Sequence, residues 1–563
     1  MTAPDLATPA PGLSPPTTEA LPAPDGVGPS RARPDFPIAW SAPADVERTW
    51  ELDDMHTPFC LVPLAWDYAQ LIADGFAYRY ERLDVPIDMR AQVFNGYFYM
   101  SWLPLPPESE HEAVLERYVG VKREHTPLAN EYWERAVPEL RELYRWIADL
   151  AVDDLPAAEL AEAWEGAWER AQRAWSIHFY AITGPYQVLD DLADLYESVI
   201  EKAPPGEAMR LIQGTIDELV AVDVGMSRLT DLAAASPNLA AAIGANPVPS
   251  LEDLATLPGG QAFVVELRGF LDEHGHLGQG FDDFGQASWA EEPAMVLTEI
   301  VKRLEHPVEP AVERATRLAR EADVLADAFR VRLADQPDRL AEFERLLALA
   351  RQIGRITETH NYWIDRMAQA RLRAFAMRVG ARLTREGVIE QRDDVLYLRR
   401  ADVPDLVRSP VDRRSQVAER KVDHARWRTL KPPAKVGKTS TEEPSGRFGG
   451  ERFATEDEAI VRGTGASAGV VRGPARVVLG PDDFERVRPG DIIVAPSSNP
   501  SWVPLFTIAG GLVTNTGGVL SHAAVVAREF ALPAVVGTGD ATTRIADGQT
   551  VELDGTTGYV RLL

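Results

Sequence analysis

The chain has 563 residues, of which 45% are hydrophobic, and its formal net charge at pH 7 is −28. This length is enough for roughly two to four domains with cores of their own. So acidic a chain lacks the basic surface that neutralises phosphates, which argues against a nucleic-acid-binding protein and against attachment to an anionic membrane surface.

The chain has a single cysteine, Cys60, so no disulfide can form within it. A chain without an internal disulfide fits a reducing compartment. No apolar run reaches the length of a membrane-spanning helix, and the first residues lack the basic and apolar regions of a signal peptide. We therefore expect a cytoplasmic protein without a membrane partner.

The first three quarters of the chain are predicted to be a tail followed by a helical domain. Residues 1–37 are rich in Pro and Ala without an apolar period, which predicts a disordered tail. Residues 38–398 are predicted to form a mainly helical substrate (acceptor) domain. Its aromatic run Phe94–Trp102 is strand-like, whereas residues 111–381 place apolar side chains three and four apart, as helices do.

A glycine-rich acidic loop follows a helix that is predicted to end at Gly275. It carries four polar residues that can bind a metal or act as acid and base, namely His274, His276, Asp282 and Asp283. A helix C-cap and a turn explain the same residues, with the histidines easing the helix dipole. The residues alone favour neither interpretation.

A second polar cluster lies within Arg355–Arg366, which is predicted to be helical. Glu358 and Asp365 are seven residues apart and share roughly one face, with His360 to its side. A solvated helix with an aromatic stripe is the alternative to a site.

The next stretch is predicted to connect two domains. Residues 392–398 have the pattern of a short β-like connector, and the charged, Pro- and Gly-rich residues 399–456 are predicted to be a hinged linker. Gly437-Lys-Thr resembles the end of a phosphate-binding loop, but Pro432 stands where that loop needs its first glycine. We therefore reject a nucleotide site there.

Residues 457–563 are predicted to form an α/β domain. Gly463–Gly469 is predicted to be a turn at the start of this domain. Its predicted helices are Asp483–Val487 and Ser521–Phe530. Its predicted strands are Val470–Val478, Asp491–Ala495, Leu512–Thr514, Ala534–Gly537, Gln549–Asp554 and Tyr559–Leu562.

The most informative stretch of this domain runs from Thr514 to Glu529. Gly517 and Gly518 break a strand and permit a tight turn, after which Ser521 is placed as a helix N-cap. His522 then lies in the first helical turn, where free N–H groups and the helix dipole favour a bound phosphate. A histidine held there can attack a phosphoryl group and carry it.

The motif Thr-Gly-Gly-x-Leu-Ser-His-Ala-Ala-Val-Val-Ala-Arg-Glu, followed by Leu-Pro-Ala-Val-Val-Gly, closely resembles the phosphohistidine swivelling domain. Phosphoenolpyruvate synthases, pyruvate phosphate dikinases, rifampicin phosphotransferases and phenylphosphate synthases share that domain. The resemblance covers residues 463–563 and implies that His522 is the phosphocarrier. Gly517, Gly518 and Ser521 would bind the phosphoryl group.

The two polar clusters resemble, more weakly, the helical substrate region of rifampicin phosphotransferases and phenylphosphate synthases, with Leu277 where some relatives have arginine. The resemblance implies that His276 or His360 is the base that deprotonates an acceptor hydroxyl. Glu358 or an aspartate of the loop would orient that base, and Arg355 would steady the phosphoryl group.

No nucleotide-grasp domain or phosphoenolpyruvate barrel is recognisable in the sequence. The chain therefore looks like the carrier and acceptor portion of a split phosphotransferase. Its partner would be an ATP-grasp-like nucleotide-binding subunit that uses ATP or phosphoenolpyruvate with Mg²⁺. The acceptor would be a small hydroxyl compound, and neither a tightly bound cofactor nor a metal site is predicted in the chain itself.

Two other functions remain open at this point. In the first, a substrate hydroxyl is phosphorylated only transiently and then eliminated, which makes the enzyme a lyase or dehydratase. In the second, the chain is a non-catalytic regulator whose phosphohistidine changes the binding of a partner.

Overall fold

The computed structural model describes residues 36–438 and 459–563, apart from 54, 55, 58, 84–88, 103–110, 202, 205, 216, 217, 246, 247, 279–283, 499–501 and 520. The predicted tail lies almost wholly outside the described residues, as do residues 439–456 of the predicted linker. The chain divides into two compact units, which are described separately. The first is Met1–Gly184, Asp282–Gly285 and Trp363–Pro444; the second is Pro185–Phe281, Gln286–Tyr362 and Ser445–Leu563.

Helices dominate the described chain up to residue 438, and a large sheet dominates its end. This confirms the prediction of a mainly helical region followed by an α/β region. The α-helices are α1 (Pro63–Leu83), α2 (His111–His125), α3 (Ala129–Ala148), α4 (Ala157–Ala181), α5 (Thr183–Val199), α6 (Glu218–Ala234), α7 (Pro237–Ile243), α8 (Leu251–Ala255), α9 (Gly260–His274), α10 (Ala294–Glu305), α11 (Ala311–Arg332), α12 (Pro337–Ile353), α13 (Ile356–His360), α14 (Met367–Arg385), α15 (Val403–Arg408), α16 (Arg414–Trp427), α17 (Val503–Phe506), α18 (His522–Glu529) and α19 (Ala541–Arg544). The strands are β1 (Thr49–Leu52), β2 (Met89–Phe94), β3 (Tyr97–Trp102), β4 (Lys435–Gly437), β5 (Ile460–Arg462), β6 (Thr464–Ser467), β7 (Val470–Val477), β8 (Ile492–Ala495), β9 (Gly511–Thr514), β10 (Ala534–Val536), β11 (Thr550–Asp554) and β12 (Tyr559–Leu562).

The first unit combines helices with a four-stranded antiparallel sheet in the order β2-β3-β1-β4. Asn95 and Gly96 join β2 to β3, and both have positive φ, at 50° and 81°. Two such residues form the turn that a right-twisted hairpin favours. The prediction that Phe94–Trp102 is strand-like is therefore confirmed.

Two stretches of the first unit differ from the predictions. Arg392–Tyr397 is a 3₁₀ helix and not a β-like connector, because the Asp394 carboxylate accepts hydrogen bonds from the N–H groups of Glu390 and Gln391 and closes a turn. The described part of the predicted linker contains α15, α16 and β4. Its apolar residues recur at helical spacing and are buried, for example Val403, Leu406 and Val407.

The second unit begins with the helical segment, which we define as α5 to α13. Its helices α6, α9, α10 and α11 pack together around a buried ionic network. Asp223 of α6 accepts from Arg303 Nη1 and from Arg314 Nη2, each at 2.6 Å, and Glu299 accepts from Arg303 Nε at 3.3 Å. All four residues are at most 8% exposed. The charges thus compensate each other within the core.

Asp223→Ala is expected to lower the free energy of unfolding of this unit by about 3–5 kcal/mol, because two buried guanidinium groups lose their shared partner. Urea denaturation followed by helical circular dichroism would measure the change. Asp327→Ala is the matched control, since that carboxylate pairs with Arg330 but is 75% exposed, and it should shift stability by less than about 0.5 kcal/mol. Similar losses in both variants would contradict the buried network.

The C-terminal segment (residues 459–563) forms an eight-stranded sheet in the order β5-β12-β11-β7-β8-β9-β10-β6. The strands β7, β8, β9 and β10 are parallel neighbours, and the other pairs are antiparallel. Ile493 and Leu512 face the core that contains α18, whereas Ile492 and Val513 face the core that contains α19. Both faces are covered, which explains the almost uninterrupted apolar composition of these strands.

All six strands predicted in this segment are present, with small differences at their ends. The predicted helix Asp483–Val487 is a 3₁₀ helix over Pro481–Arg486. The predicted turn Gly463–Gly469 contains strand β6, and β5 precedes it. Only Gly463 separates these two strands, although they lie at opposite ends of the strand order. No helix in the described residues is long and apolar enough to cross a membrane.

Candidate functional site

The candidate site is built where strand β9 turns into helix α18. Asn515 fixes the turn, because its side chain donates to Thr542 Oγ1 at 2.7 Å and accepts from the Thr542 N–H at 3.0 Å. Ser521 takes the predicted N-cap position, with φ −68° and ψ 155°, but its hydroxyl makes no capping hydrogen bond. His522 is therefore the first residue of the helix, as predicted from the sequence.

Gly517 has a φ of 108°, and a Cβ added to it would lie 2.7 Å from Ser521 Oγ. Only glycine adopts this conformation without strain. A Cβ at the neighbouring Gly518 would meet no atom within 4 Å in the described part of the chain. The turn therefore requires glycine at Gly517, whereas the position of Gly518 has room for a side chain.

Gly517→Ala is expected to destabilise the C-terminal segment by about 1–3 kcal/mol, since the added methyl group forces the turn to move. Hydrogen exchange of the amides in β9 and α18 would report the local loss. Gly518→Ala is the matched control and should leave exchange within about 0.5 kcal/mol of wild type. Equal hydrogen-exchange protection in the two variants would contradict the conclusion that the turn requires glycine at Gly517.

The central contact of the site joins His522 to Glu358 of α13, which lies 164 residues away in the sequence. His522 Nδ1 is 2.8 Å from Glu358 Oε2, and the two side chains are 10% and 7% exposed. An ionised carboxylate can only accept, so Nδ1 donates to it, and in the neutral ring the lone pair is then on Nε2. Among the described residues, neither Nε2 nor Ser521 Oγ has a hydrogen-bond partner, and both atoms are buried.

Arg528, one and a half turns along α18, supplies a buried positive charge. Its Nη1 donates to Ala466 O at 3.1 Å. Burial lowers the pKa of Arg528 to about 10, and the negative charges of Glu529 and Glu358 act in the opposite direction. The guanidinium is therefore a buried positive charge that interacts with Glu358. The sequence motif contains Arg528, but we predicted no role for it.

A cavity of about 80 Å³ lies beside this contact. Its wall is mostly apolar and includes Val525 of α18. Its charged residues are Arg314, Arg355, Glu358, Arg528 and Glu529. Arg355, which was predicted to steady a phosphoryl group, thus shares a cavity wall with the residue that contacts His522.

The glycine-rich loop is built around Tyr362. The Tyr362 hydroxyl donates to Glu273 O at 3.2 Å and lies 2.8 Å from His274 Nδ1, so this ring nitrogen donates to the hydroxyl. Burial lowers the pKa of His274. The ring of His276 meets that of Tyr362 edge-on at 4.4 Å. Helix α9 ends at His274 with Gly275 as its C-cap, as the C-cap interpretation predicts.

The remaining predicted residues have varied placements. His360 is buried, and its Nδ1 donates to Ile356 O at 2.7 Å. Asp282 and Asp283 lie outside the described residues. The contact of Glu358 is with the carrier candidate His522, whereas we predicted that Glu358 orients His276 or His360. A π-helix follows α13, at Asn361–Arg366, a geometry that recurs at functional sites.

Comparison with protein families supports the predicted resemblance. Residues 487–558 match the family described as PEP-utilising enzyme, mobile domain, which includes the turn and α18. Residues 181–358 match the family described as rifampicin phosphotransferase fourth domain, which includes most of the helical segment and ends at Glu358. The resemblance is confirmed for both parts of the second unit.

Three curated relatives show how the match is distributed. Chondramide synthase of Chondromyces crocatus is 28% identical over 557 residues, which cover 94% of this chain and 14% of the relative. The uncharacterized phosphotransferase YvkC of Bacillus subtilis is 26% identical over 426 residues, which cover 75% and 51%. Rifampicin phosphotransferase of Streptomyces sviceus is 31% identical over 325 residues, which cover 56% and 36%. The chain thus spans about half or less of the length of these relatives.

Proposed function

We propose that the chain is a phosphotransferase component that carries a phosphoryl group on Nε2 of His522 and passes it to a hydroxyl of a small organic acceptor. The observation that carries this proposal is the contact of His522 Nδ1 with Glu358. It holds the ring in the tautomer whose Nε2 lone pair can attack phosphorus.

The first step forms a bond between Nε2 and phosphorus while the bond from phosphorus to the donor oxygen breaks, and the donor leaves with that electron pair. Ser521 Oγ, which is buried and has no partner among the described residues, would donate to a phosphoryl oxygen, and backbone N–H groups of the Gly517–Gly518 turn would add to this at the start of α18.

In the second step the acceptor oxygen attacks phosphorus, and the bond to Nε2 breaks. The electron pair returns to Nε2, and the acceptor proton passes to a base. Glu358 keeps the Nδ1 proton in place, so the ring leaves as a neutral imidazole.

His276 and His360 remain the proposed bases for the acceptor hydroxyl. The Nδ1 proton of His360 is held by Ile356 O, so a neutral His360 would take up the acceptor proton on Nε2. Asp282, Asp283, His274 and Arg355 are proposed to bind the acceptor or the phosphoryl group, as the family resemblance implies.

For the donor we propose ATP, or alternatively phosphoenolpyruvate, with Mg²⁺ on a separate nucleotide-binding subunit. The matched relatives include proteins named phosphotransferases that are about two to three times as long as their matched parts. The helical segment would supply the acceptor site, since it matches the fourth domain of rifampicin phosphotransferases.

The test separates donor from acceptor. The purified chain is phosphorylated with phosphoramidate over a long incubation, freed of reagent, and mixed with hydroxyl compounds, with rifampicin as the first probe because of the relatives' names. Mass spectrometry should find a phosphoester and loss of acid-labile label from the chain. A labelled chain that yields neither phosphoester nor dehydrated product with any acceptor would contradict the transferase. Unchanged transfer in His276→Ala and His360→Ala would remove the assigned bases.

The donor is identified in a parallel experiment. Labelled ATP and labelled phosphoenolpyruvate are each incubated with the chain, alone and with candidate donor subunits. Label that requires a second subunit would support the split arrangement, and label on the chain alone would contradict it.

A further inference from the structure

A cluster of buried polar side chains lies in the helical core of the first unit. Helix α3, helix α4 and the stretch that runs from the π-helix into α14 contribute to it, and these helices contact one another. Its members, which we call the polar cluster, are Tyr144, Trp175, His178, Asp365 and Gln369. All belong to the first unit, and none is more than 7% exposed.

His178 and Asp365 form the charged pair of the polar cluster. His178 Nε2 lies 3.2 Å from Asp365 Oδ1. A carboxylate at this distance favours a proton on Nε2, so that the lone pair of the neutral ring is on Nδ1. An imidazole that is oriented by a carboxylate in this way has the arrangement of a general base.

The backbone and the charge of Asp365 shape the rest of the cluster. Asp365 lies on the π-helix Asn361–Arg366, and Gln369 follows it four residues later, on roughly the same side. Burial, and then the negative charge of Asp365, raises the pKa of Tyr144 well above its usual value. The Tyr144 hydroxyl therefore keeps its proton and remains a hydrogen-bond donor.

Three buried polar atoms of the cluster have no hydrogen-bond partner among the described residues, namely Tyr144 OH, Trp175 Nε1 and Gln369 Oε1. Protein cores rarely retain such atoms, because each one lowers stability unless a partner binds it. Two of them can donate and one can accept, which matches a hydroxyl group. The rings of Tyr68 and Phe179 lie 6.1 and 5.9 Å from that of Trp175, so the surroundings are aromatic.

We propose that the polar cluster binds a hydroxyl group carried on an apolar ring and that His178 removes its proton. The O–H bond breaks, its electron pair stays on oxygen, and the proton passes to Nδ1 of His178, with Asp365 as the positioning residue. The oxygen then attacks phosphorus as described above. This inference rests on the proposed transfer to a hydroxyl, and it adds a base in the first unit to His276 and His360.

Binding is tested on the unphosphorylated full chain, with benzyl alcohol and toluene as a matched pair of probes. The two molecules share a ring, and only benzyl alcohol has a hydroxyl. The histidine rings are isotope-labelled for NMR, and the His178 signal is identified by its absence in His178→Gln. We expect benzyl alcohol to shift this signal and to bind at least about tenfold more tightly than toluene, because only its hydroxyl pairs with the cluster.

Tyr144→Phe removes a single hydroxyl from the cluster and keeps the ring. It should weaken the binding of benzyl alcohol about fivefold and leave that of toluene unchanged. Its thermal unfolding temperature should not decrease, because the lost hydroxyl has no partner among the described residues. Tyr559→Phe, at an exposed position of the C-terminal segment, is the matched control and should change neither affinity.

The base is tested on chain that carries the phosphoryl group on His522, with benzyl alcohol as the acceptor. His178→Gly should slow transfer at least about 10²-fold, and added imidazole should restore at least about tenfold of the loss, which a purely structural role would not allow. Asp365→Asn should lower kcat and leave KM close to wild type, since the residue positions the base.

Equal binding of the two probes, or a His178 signal that neither probe shifts, would overturn the proposed site. Absence of transfer to bound benzyl alcohol, or wild-type transfer in His178→Gly, would overturn the assignment of His178 as base. If benzyl alcohol binds as expected but His522 is never phosphorylated, the binding site stands and the proposed carrier function falls.

Discussion

His522→Ala is expected to abolish acid-labile phosphorylation of the chain, with a decrease of more than about 10³-fold in label from either a donor subunit or phosphoramidate. The reason is that Nε2 of this residue is the atom proposed to bond to phosphorus, and alanine offers no nucleophile. The labelled protein is divided into two portions, one treated with acid and the other with alkali, and the remaining label is measured in each. Phosphohistidine survives only the alkali treatment.

Two controls make this result interpretable. Circular dichroism and the thermal unfolding profile should remain close to wild type, since His522 is the first residue of α18 and the apolar core is formed by the alanines and Val526 that follow it. His306→Ala removes an exposed histidine and should keep full label. Acid-labile label that persists in His522→Ala would place the phosphoryl group on another residue.

Glu358→Gln is expected to slow transfer from the phosphorylated chain to its acceptor by roughly 10²- to 10⁴-fold, the range seen when an imidazole loses the carboxylate that sets its tautomer. The amide has nearly the same volume, so packing around α13 is preserved. However, it carries no charge, and its NH₂ group can face Nδ1, which would move the ring proton to Nε2.

The comparison that matters is between the two half-reactions. Phosphorylation of His522 by phosphoramidate should slow in Glu358→Gln as well, because a ring that carries its proton on Nε2 has no lone pair there to attack phosphorus. Glu344→Gln, an exposed helical carboxylate paired with Arg330, serves as the control and should affect neither half-reaction. Wild-type rates of both half-reactions in Glu358→Gln would contradict the proposed role of Glu358, and a similar loss in Glu344→Gln would indicate a general structural defect.

The local structure around His522 was predictable because every signal lies within a short stretch. The apolar run before Gly517 predicts a buried strand, the two glycines predict a turn, and Ser521 predicts a helix start, all of which the structure contains. The same applies to the end of α9 at Gly275. In each case neighbouring residues determine the backbone, so no knowledge of distant contacts is needed.

The remaining features depend on distant partners, which a single sequence does not pair. The family resemblance suggested that Glu358 orients His276 or His360, whereas its contact is with His522, 164 residues away. Strands β5 and β6 have only three and four residues. They are stabilised by pairing with β12 and β10, and the glycines in and around β6 suggested a turn. Helices α15 and α16 were not predicted, because they lie in a stretch that is rich in charged residues and proline.

The position of Gly463 between β5 and β6 determines which fragment of the C-terminal segment can be produced as an independent protein. Those consecutive strands complete the two opposite edges of the sheet. A fragment cut to the family match, residues 487–558, would lose β5, β6, β7 and β12 and would leave β8, β10 and β11 with unpaired edges. Exposed edges of this kind promote aggregation. The backbone N–H of Leu562 donates to Ala459 O. A fragment that keeps the whole sheet therefore has to start upstream of Ala459 and run through Leu562.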